Sequence, residues 1–318
     1  MNHTYNIVKY EKIYYNEWNT FVEESINGNI YHSRIFLSYH PEDRFEDTSI
    51  MIYKDNILVC VLPSCKNGDK YFSHKGATYG GPVFSKDVYN IKYLNILINK
   101  IFEYYNYNIE FRICNSIYNS VSDNSLLYLL GSKLKMCPEL AWYIHTNENI
   151  IENISNIRNK KSLLKIMNNN EYVCDSFSDK EYYIKFYKIL KKNLNTKYDT
   201  NPTHTLEEFL FLSDILKDKQ RLYLVKYKDI IYGGVYVIKV TKNCWYTFYI
   251  SKNIDISNNL SIIYIMYKIQ QDALKENVKY VDYGITTEDA GKKINIGLAE
   301  FKESSLTGIS SNRYLFLV

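Results

Sequence analysis

Apolar residues along this chain fall into helical and alternating stretches that follow one another in a similar order twice. Over 12–26 (KIYYNEWNTFVEESI) they recur at helical spacing, and Asn27-Gly28-Asn29 stops the helix. Residues 47–66 hold two short apolar runs, SIMIY and ILVCVLPSC, joined across Lys54-Asp55-Asn56; this predicts a hairpin. A glycine-rich loop follows, SHKGATYGGPVFS, and then an amphipathic helix over 88–106. Residues 108–114 (NIEFRIC) return as a strand, and a polar stretch leads to another strand over 140–146.

From 147 to 165 the pattern turns polar and basic and then helical, which marks a boundary between lobes at 1–149 and 150–318. Beyond it, helices are predicted over 178–197 and 205–217, the second with Thr205 as N-cap. The runs RLYLVKY (221–227) and IIYGGVYVIKV (230–240) pair across Lys228-Asp229, and NCWYTFYIS (243–251) adds a third strand. A helix over 259–276, a strand over 279–284, a loop, a short helix over 293–302 and a terminal strand over 312–318 complete the chain. Each lobe thus offers antiparallel hairpin strands, a long helix and a further strand. The expected fold is α/β with mixed, largely antiparallel sheets flanked by helices, built twice in tandem.

Composition narrows the setting. The chain has 318 residues, enough for two cores, and a net charge of +4 from 39 basic and 35 acidic side chains. That balance neither requires nor excludes a polyanionic partner. No run reaches the about 18 apolar residues of a membrane span, and the N-terminus lacks a signal-peptide pattern, so a cytoplasmic protein is expected. Cysteines at 60, 65, 114, 137, 174 and 244 form no CxxC pair and the six histidines are scattered, so neither disulfides nor a metal site is expected. The 33 tyrosines reflect overall composition and carry no functional weight as a group.

Several segments, in this order and spacing, resemble the Fem-type branch of the GNAT acyltransferase superfamily, in which one chain holds two GNAT-like lobes. In the second lobe they are RNKKSLLK (158–165), NPTHTLEEF (201–209), IIYGGVYVI (230–238), WYTFYIS (245–251) and YVDYGITTEDAGKKINIGLAEFKES (280–304). In the first they are YHSRIFLSY (31–39), VLPSC (61–65) and KGATYGGPVFS (75–85). GNAT-type proteins of bacterial capsule and surface-polysaccharide clusters are similar. Two departures stand out. Single-lobe GNAT enzymes cradle the pyrophosphate of coenzyme A in a glycine-rich loop, whereas the equivalent stretch here, SKNIDISNNLS (251–261), has no glycine. Backbone amides at the start of the 259–276 helix remain as a phosphate site. The long helical arm of many peptidoglycan Fem enzymes is also missing.

Acyl transfer to an amine needs a proton acceptor, an oxyanion stabiliser and close positioning of two reactants. The resemblance implies that Lys302, in AEFKES, sits at the donor site and stabilises negative charge or binds phosphate. Asp282 ends an alternating strand before Gly284, where side chains enter a cleft, as a general base or its orienter. Glu288 and Asp289 lie in the adjoining loop, expected to close over substrate. His204 precedes a helix N-cap and titrates near neutral pH, as a base or a substrate contact. Tyr249 and Tyr283 are candidate leaving-group acids. Arg158, Lys160 and Lys161 open a basic helix suited to phosphate or carboxylate. In the first lobe, His74, Lys75, Gly76, Gly80 and Gly81 form a loop open to close approach by a ligand, where the resemblance implies acceptor binding. Each residue also has a structural reading, as a cap, core or solvated charge; Trp18 and Trp142 read as core.

The leading expectation is an N-acyltransferase that moves an acyl group from acyl-CoA, such as acetyl-CoA, to an amine of a cell-envelope or surface-polysaccharide precursor, a small-molecule or lipid- or nucleotide-linked sugar. The alternative is a Fem-type aminoacyltransferase with aminoacyl-tRNA as donor and a peptidoglycan-like precursor as acceptor. A third reading is a non-catalytic binding protein that keeps the fold.

Overall fold

The computed structural model describes residues 3–41, 43–155, 157–256 and 260–318. The chain forms two compact units, one of residues 1–139, 288–293 and 312–318, the other of 140–287 and 294–311. The division falls at Glu139/Leu140, inside the strand Lys135–His145, and the chain returns twice to the first unit after leaving it.

In the first unit, Tyr5–Lys9, Ile50–Lys54, Ile57–Leu62 and Val83–Phe84 form an antiparallel sheet in that spatial order. The hairpin turn at Asp55 and Asn56 has φ of 49° and 68°, the left-handed pair that a two-residue turn between twisted strands requires. A second set runs Ile109–Ile113, Lys70–Phe72, Cys65–Asn67 and Glu46–Asp47, the first two parallel and the rest antiparallel. Residues Tyr314–Phe316 pair antiparallel with the other edge of Ile109–Ile113. The helix Ile91–Tyr104, capped by Asn90, buries Leu94, Leu97, Ile98, Ile101 and Phe102, the one apolar stripe its period creates. The helix Asn124–Gly131 adds Leu126, Leu129 and Leu130 to the same core.

In the second unit, Tyr172–Phe177, Gln220–Tyr227, Ile230–Thr241 and Cys244–Lys252 run antiparallel. Tyr280–Ile285 joins parallel to the last of these, and Ala141–His145 pairs antiparallel with its outer edge. Gly233 and Gly234 face opposite sides of the sheet, so each lets a different helix approach. A Cβ on Gly233 would press on Ile262 of the Leu260–Lys275 helix, and one on Gly234 would strike Phe186 of the Lys180–Tyr198 helix. Helices therefore cover both faces. Trp142, Ile144, Val235, Trp245, Ile263, Met266, Ile269 and Val281 are among the buried residues of one core cluster. Thr205 caps Leu206–Leu216 through a reciprocal capping box with Glu208.

Candidate functional site

The strand pair at the centre of the second unit separates partway along. Cys244–Lys252 and Tyr280–Ile285 are in register at Cys244↔Tyr280, Trp245↔Val281 and Tyr246↔Asp282, with no further pairs among the described residues. Beyond that point the Thr247 hydroxyl donates to the Asp282 carbonyl oxygen at 3.0 Å. Both neighbouring ladders are irregular at the same level. The Ile230–Thr241 ladder shifts between Tyr236 and Val237, and the ladder to Ala141–His145 shifts between Asp282 and Gly284. Such bulges bend strands and re-aim side chains.

An acidic and a basic side chain meet at the backbone of Gly284. Asp282 is fully buried and its Oδ1 accepts from the Gly284 N–H at 2.6 Å. Lys302, 4% exposed, donates from Nζ to the Gly284 carbonyl at 3.1 Å and the Ile285 carbonyl at 2.9 Å. Gly284 has φ of +73°, a conformation that a β-carbon disfavours. Burial of an ammonium is costly unless it is hydrogen-bonded, and these carbonyls supply acceptors. Lys302 stands on the π-helical turn Phe301–Ser305, and its own carbonyl accepts from Gly308 N–H at 2.8 Å. Trp142 packs behind, with Nε1 donating to Thr286 Oγ1 at 2.9 Å.

The other candidates are distributed differently. His204 is buried and its Nδ1 shares a 2.5 Å hydrogen bond with the Tyr249 hydroxyl, on the part of Cys244–Lys252 that lies beyond the paired region. Burial pushes the Tyr249 hydroxyl up, partly opposed by hydrogen bonds from His204 and Thr203. The Tyr283 ring is inside the core and its hydroxyl donates to the Leu306 carbonyl; burial raises it far above the tyrosine range, so it is committed to packing rather than poised to give up a proton. Glu288 and Asp289 are exposed and belong to the first unit. Arg158 and Lys161, with Lys165, are exposed on the helix Ile157–Met167, while Lys160 reaches back to the Glu152 carbonyl at 3.1 Å. Residues 257–259, just before the Leu260–Lys275 helix where a phosphate was expected, lie outside the described residues.

In the first unit the loop divides its tasks. Gly80 N–H donates to the Arg112 carbonyl, and a Cβ there would lie 1.4 Å from the Ser73 carbonyl oxygen. Gly81, at φ +106°, would meet Ile113. These two glycines let the loop backbone approach the neighbouring strands closely. Lys75 is exposed, its ammonium 4.7 Å from the Phe72 ring centroid. His74 lines a cavity of about 710 Å³ together with Arg34, His40, Phe45 and Asp47, and the Gly76 carbonyl bonds the His40 ring of that lining. Arg34 lies within the YHSRIFLSY segment and Asp47 at the start of the hairpin, but nothing in the sequence singles out either as a site residue.

This is a tandem GNAT-like fold of the Fem type, with mixed sheets flanked by helices. FemX superposes with a TM-score of 0.67 at 14% identity, over 98% of this chain and 97% of its own. L-PGS from Bacillus licheniformis gives 0.63 at 13% identity over 95% and 91%. A tandem GNAT protein from the clavulanic acid biosynthesis pathway gives 0.53 at 8% identity over 98% and 97%. No family model matches the chain, and no curated protein matches it by sequence. Among the described residues, no helix is long and apolar enough to cross a membrane.

Proposed function

We propose that this chain is an acyltransferase that delivers an activated acyl group to an amine of a cell-envelope or surface-polysaccharide precursor. One observation carries the reading: Lys302 and Asp282 converge on the two polar groups of Gly284, where the parallel strands separate. A buried cation fixed beside a gap between strands supplies positive potential where an oxyanion develops, and its hydrogen bonds limit reorganisation. Attack of the amine on the acyl carbonyl places negative charge on that oxygen, where Lys302 stabilises it; collapse then breaks the bond to the donor's oxygen or sulfur, which leaves and takes up the proton the amine gives up. The side chain of Asp282 holds the Gly284 amide and so the shape of the gap. His204 and Tyr249, joined by a hydrogen bond, form a path for the proton that the amine releases.

Of the two donors, aminoacyl-tRNA comes first. FemX and L-PGS superpose better than the tandem GNAT protein does, and the 251–261 stretch offers no glycine cradle for a pyrophosphate. The exposed Arg158, Lys161 and Lys165, at positions i, i+3 and i+7 of one helix, suit a phosphate backbone. The acyl-CoA reading is favoured by the splayed strands and by a tandem GNAT protein that spans the chain.

Thermal unfolding with acetyl-CoA, coenzyme A and deacylated tRNA separates the two. A ligand at 100 times its dissociation constant stabilises the native state by about 2.7 kcal/mol. A raised midpoint with tRNA that fades between ~50 and ~200 mM salt is the expected outcome. A shift with the thioester alone would replace the donor, and no shift with either would favour the binding-protein reading.

A further inference from the structure

The cavity in the first unit contains an unusual cation. Arg34 is 6% exposed, and its guanidinium lies 3.4 Å from the Tyr10 ring centroid and 3.9 Å from that of Trp18. Nη1 donates to Asp47 Oδ2 at 2.7 Å, and the Arg34 backbone N–H is held by Asn19. Its other edge, Nε and Nη2, is buried without a hydrogen-bond partner. That edge is the planar two-donor fork that matches the two oxygens of a carboxylate. Leaving such donors unmade costs free energy that a ligand recovers by supplying the acceptor.

The walls are flat and mostly uncharged. His40 and His74 stack with centroids 6.4 Å apart at 17°, and Phe45 meets both edge-on. His40 Nε2 bonds the Gly76 carbonyl at 2.8 Å, and any β-carbon on Gly76 would collide with that ring. Burial holds the His74 imidazole down to about 4, with Arg34 and His40 opposing protonation and Asp47 favouring it, so it is neutral at pH 7. Among the described residues, the permanent charges on the lining are therefore Arg34 and Lys12 against Asp47, a net of one positive. One negative charge complements this; a phosphate dianion would overshoot it.

We propose that this cavity is a binding site for a ring-bearing monocarboxylate, its carboxylate seated on the Nε/Nη2 fork of Arg34 and its ring between the aromatic walls. An acidic sugar and an aromatic acid share this chemistry. The site stands independently of acyl transfer, because it needs only binding.

Calorimetric titration of the full chain at pH 7 tests it, with glucuronate, benzoate, glucose and inorganic phosphate as probes. Glucuronate or benzoate should bind and glucose should not; which acid binds more tightly tells a sugar site from an aromatic-acid site. Arg34→Lys keeps the charge but removes the fork, and should weaken carboxylate binding at least tenfold. Asp47→Asn removes the competing carboxylate, keeps an acceptor for the Ser49 N–H, and should tighten it. No acid binding at millimolar concentration, equal binding by folded Arg34→Lys, or phosphate binding more tightly than either acid would overturn the proposal. If Arg34→Lys does not fold, Asp47→Asn decides: unchanged or weaker binding overturns it.

Discussion

Lys302 and Asp282 hold the two peptide groups on either side of the Gly284 α-carbon, and the site depends on what each removes from water. Lys302→Ala deletes a cation and leaves the Gly284 and Ile285 carbonyls without their ammonium donor. Loss of one oxyanion-stabilising donor typically lowers turnover 10²–10³-fold, so transfer measured with the donor identified by thermal shift should fall more than ~10-fold. An unchanged rate in a folded variant would remove Lys302 from the mechanism. Sequence spacing placed Asp282, Gly284 and Lys302 on a strand end and a short helix, but their meeting point was invisible because 18 residues separate Gly284 from Lys302. Tyr283 shows the opposite limit: alternation along a strand puts neighbours on opposite faces, and the tyrosine beside Asp282 turns into the core.

Among the elements, those read from periodicity match where one face is buried. The hairpin across Asp55-Asn56, the helix Ile91–Tyr104 and the helix Leu260–Lys275 all show it. The strand Tyr172–Phe177 carries little signal in the sequence because it pairs on one edge only and none of its six residues is fully buried. Tyr5–Lys9 is another edge strand, its short apolar face of Tyr5 and Ile7 only half-buried on the core, and Asn124–Gly131 lies in a polar stretch although its leucines pack on the core. The glycine loop was legible as a tight structure but not in its division of labour. Gly80→Ala would drive a β-carbon into the Ser73 carbonyl, breaking the parallel bridge from Gly80 to Ile113. A loss of at least ~2 kcal/mol is expected by urea denaturation, the scale of overpacking and backbone strain together. A variant within ~0.5 kcal/mol of the parent would mean that the loop has room to shift.

For the molecule as a whole, acid sensitivity follows from two imidazoles held in the neutral form, that of buried His32 and that of half-buried His74. Burial holds both His32 and His74 down to about 4, against 6.5 in an unfolded chain. Between these values the unfolded state takes up a proton that the folded state refuses, so stability rises with pH across that window. It is fully present above about 6.5 and declines as pH falls toward 4, by roughly 3 kcal/mol at most for each group. Urea midpoints at pH 7 and pH 4.5 should differ in that sense, and His32→Gln should flatten the slope. A midpoint independent of pH would mean that both rings are protonated in the fold.

The order of chain assembly adds a further consequence. The first unit is complete only with residues 312–318, whose Tyr314–Phe316 pair with Ile113–Phe111 and whose Phe316 is a core residue. On the ribosome, the first unit to begin is therefore the last to finish: its sheet waits with an unfilled edge while all of the second unit emerges. A gene cut at the apparent lobe boundary would not yield an autonomous first half, and recombination that exchanges lobes must carry the last seven residues with the first.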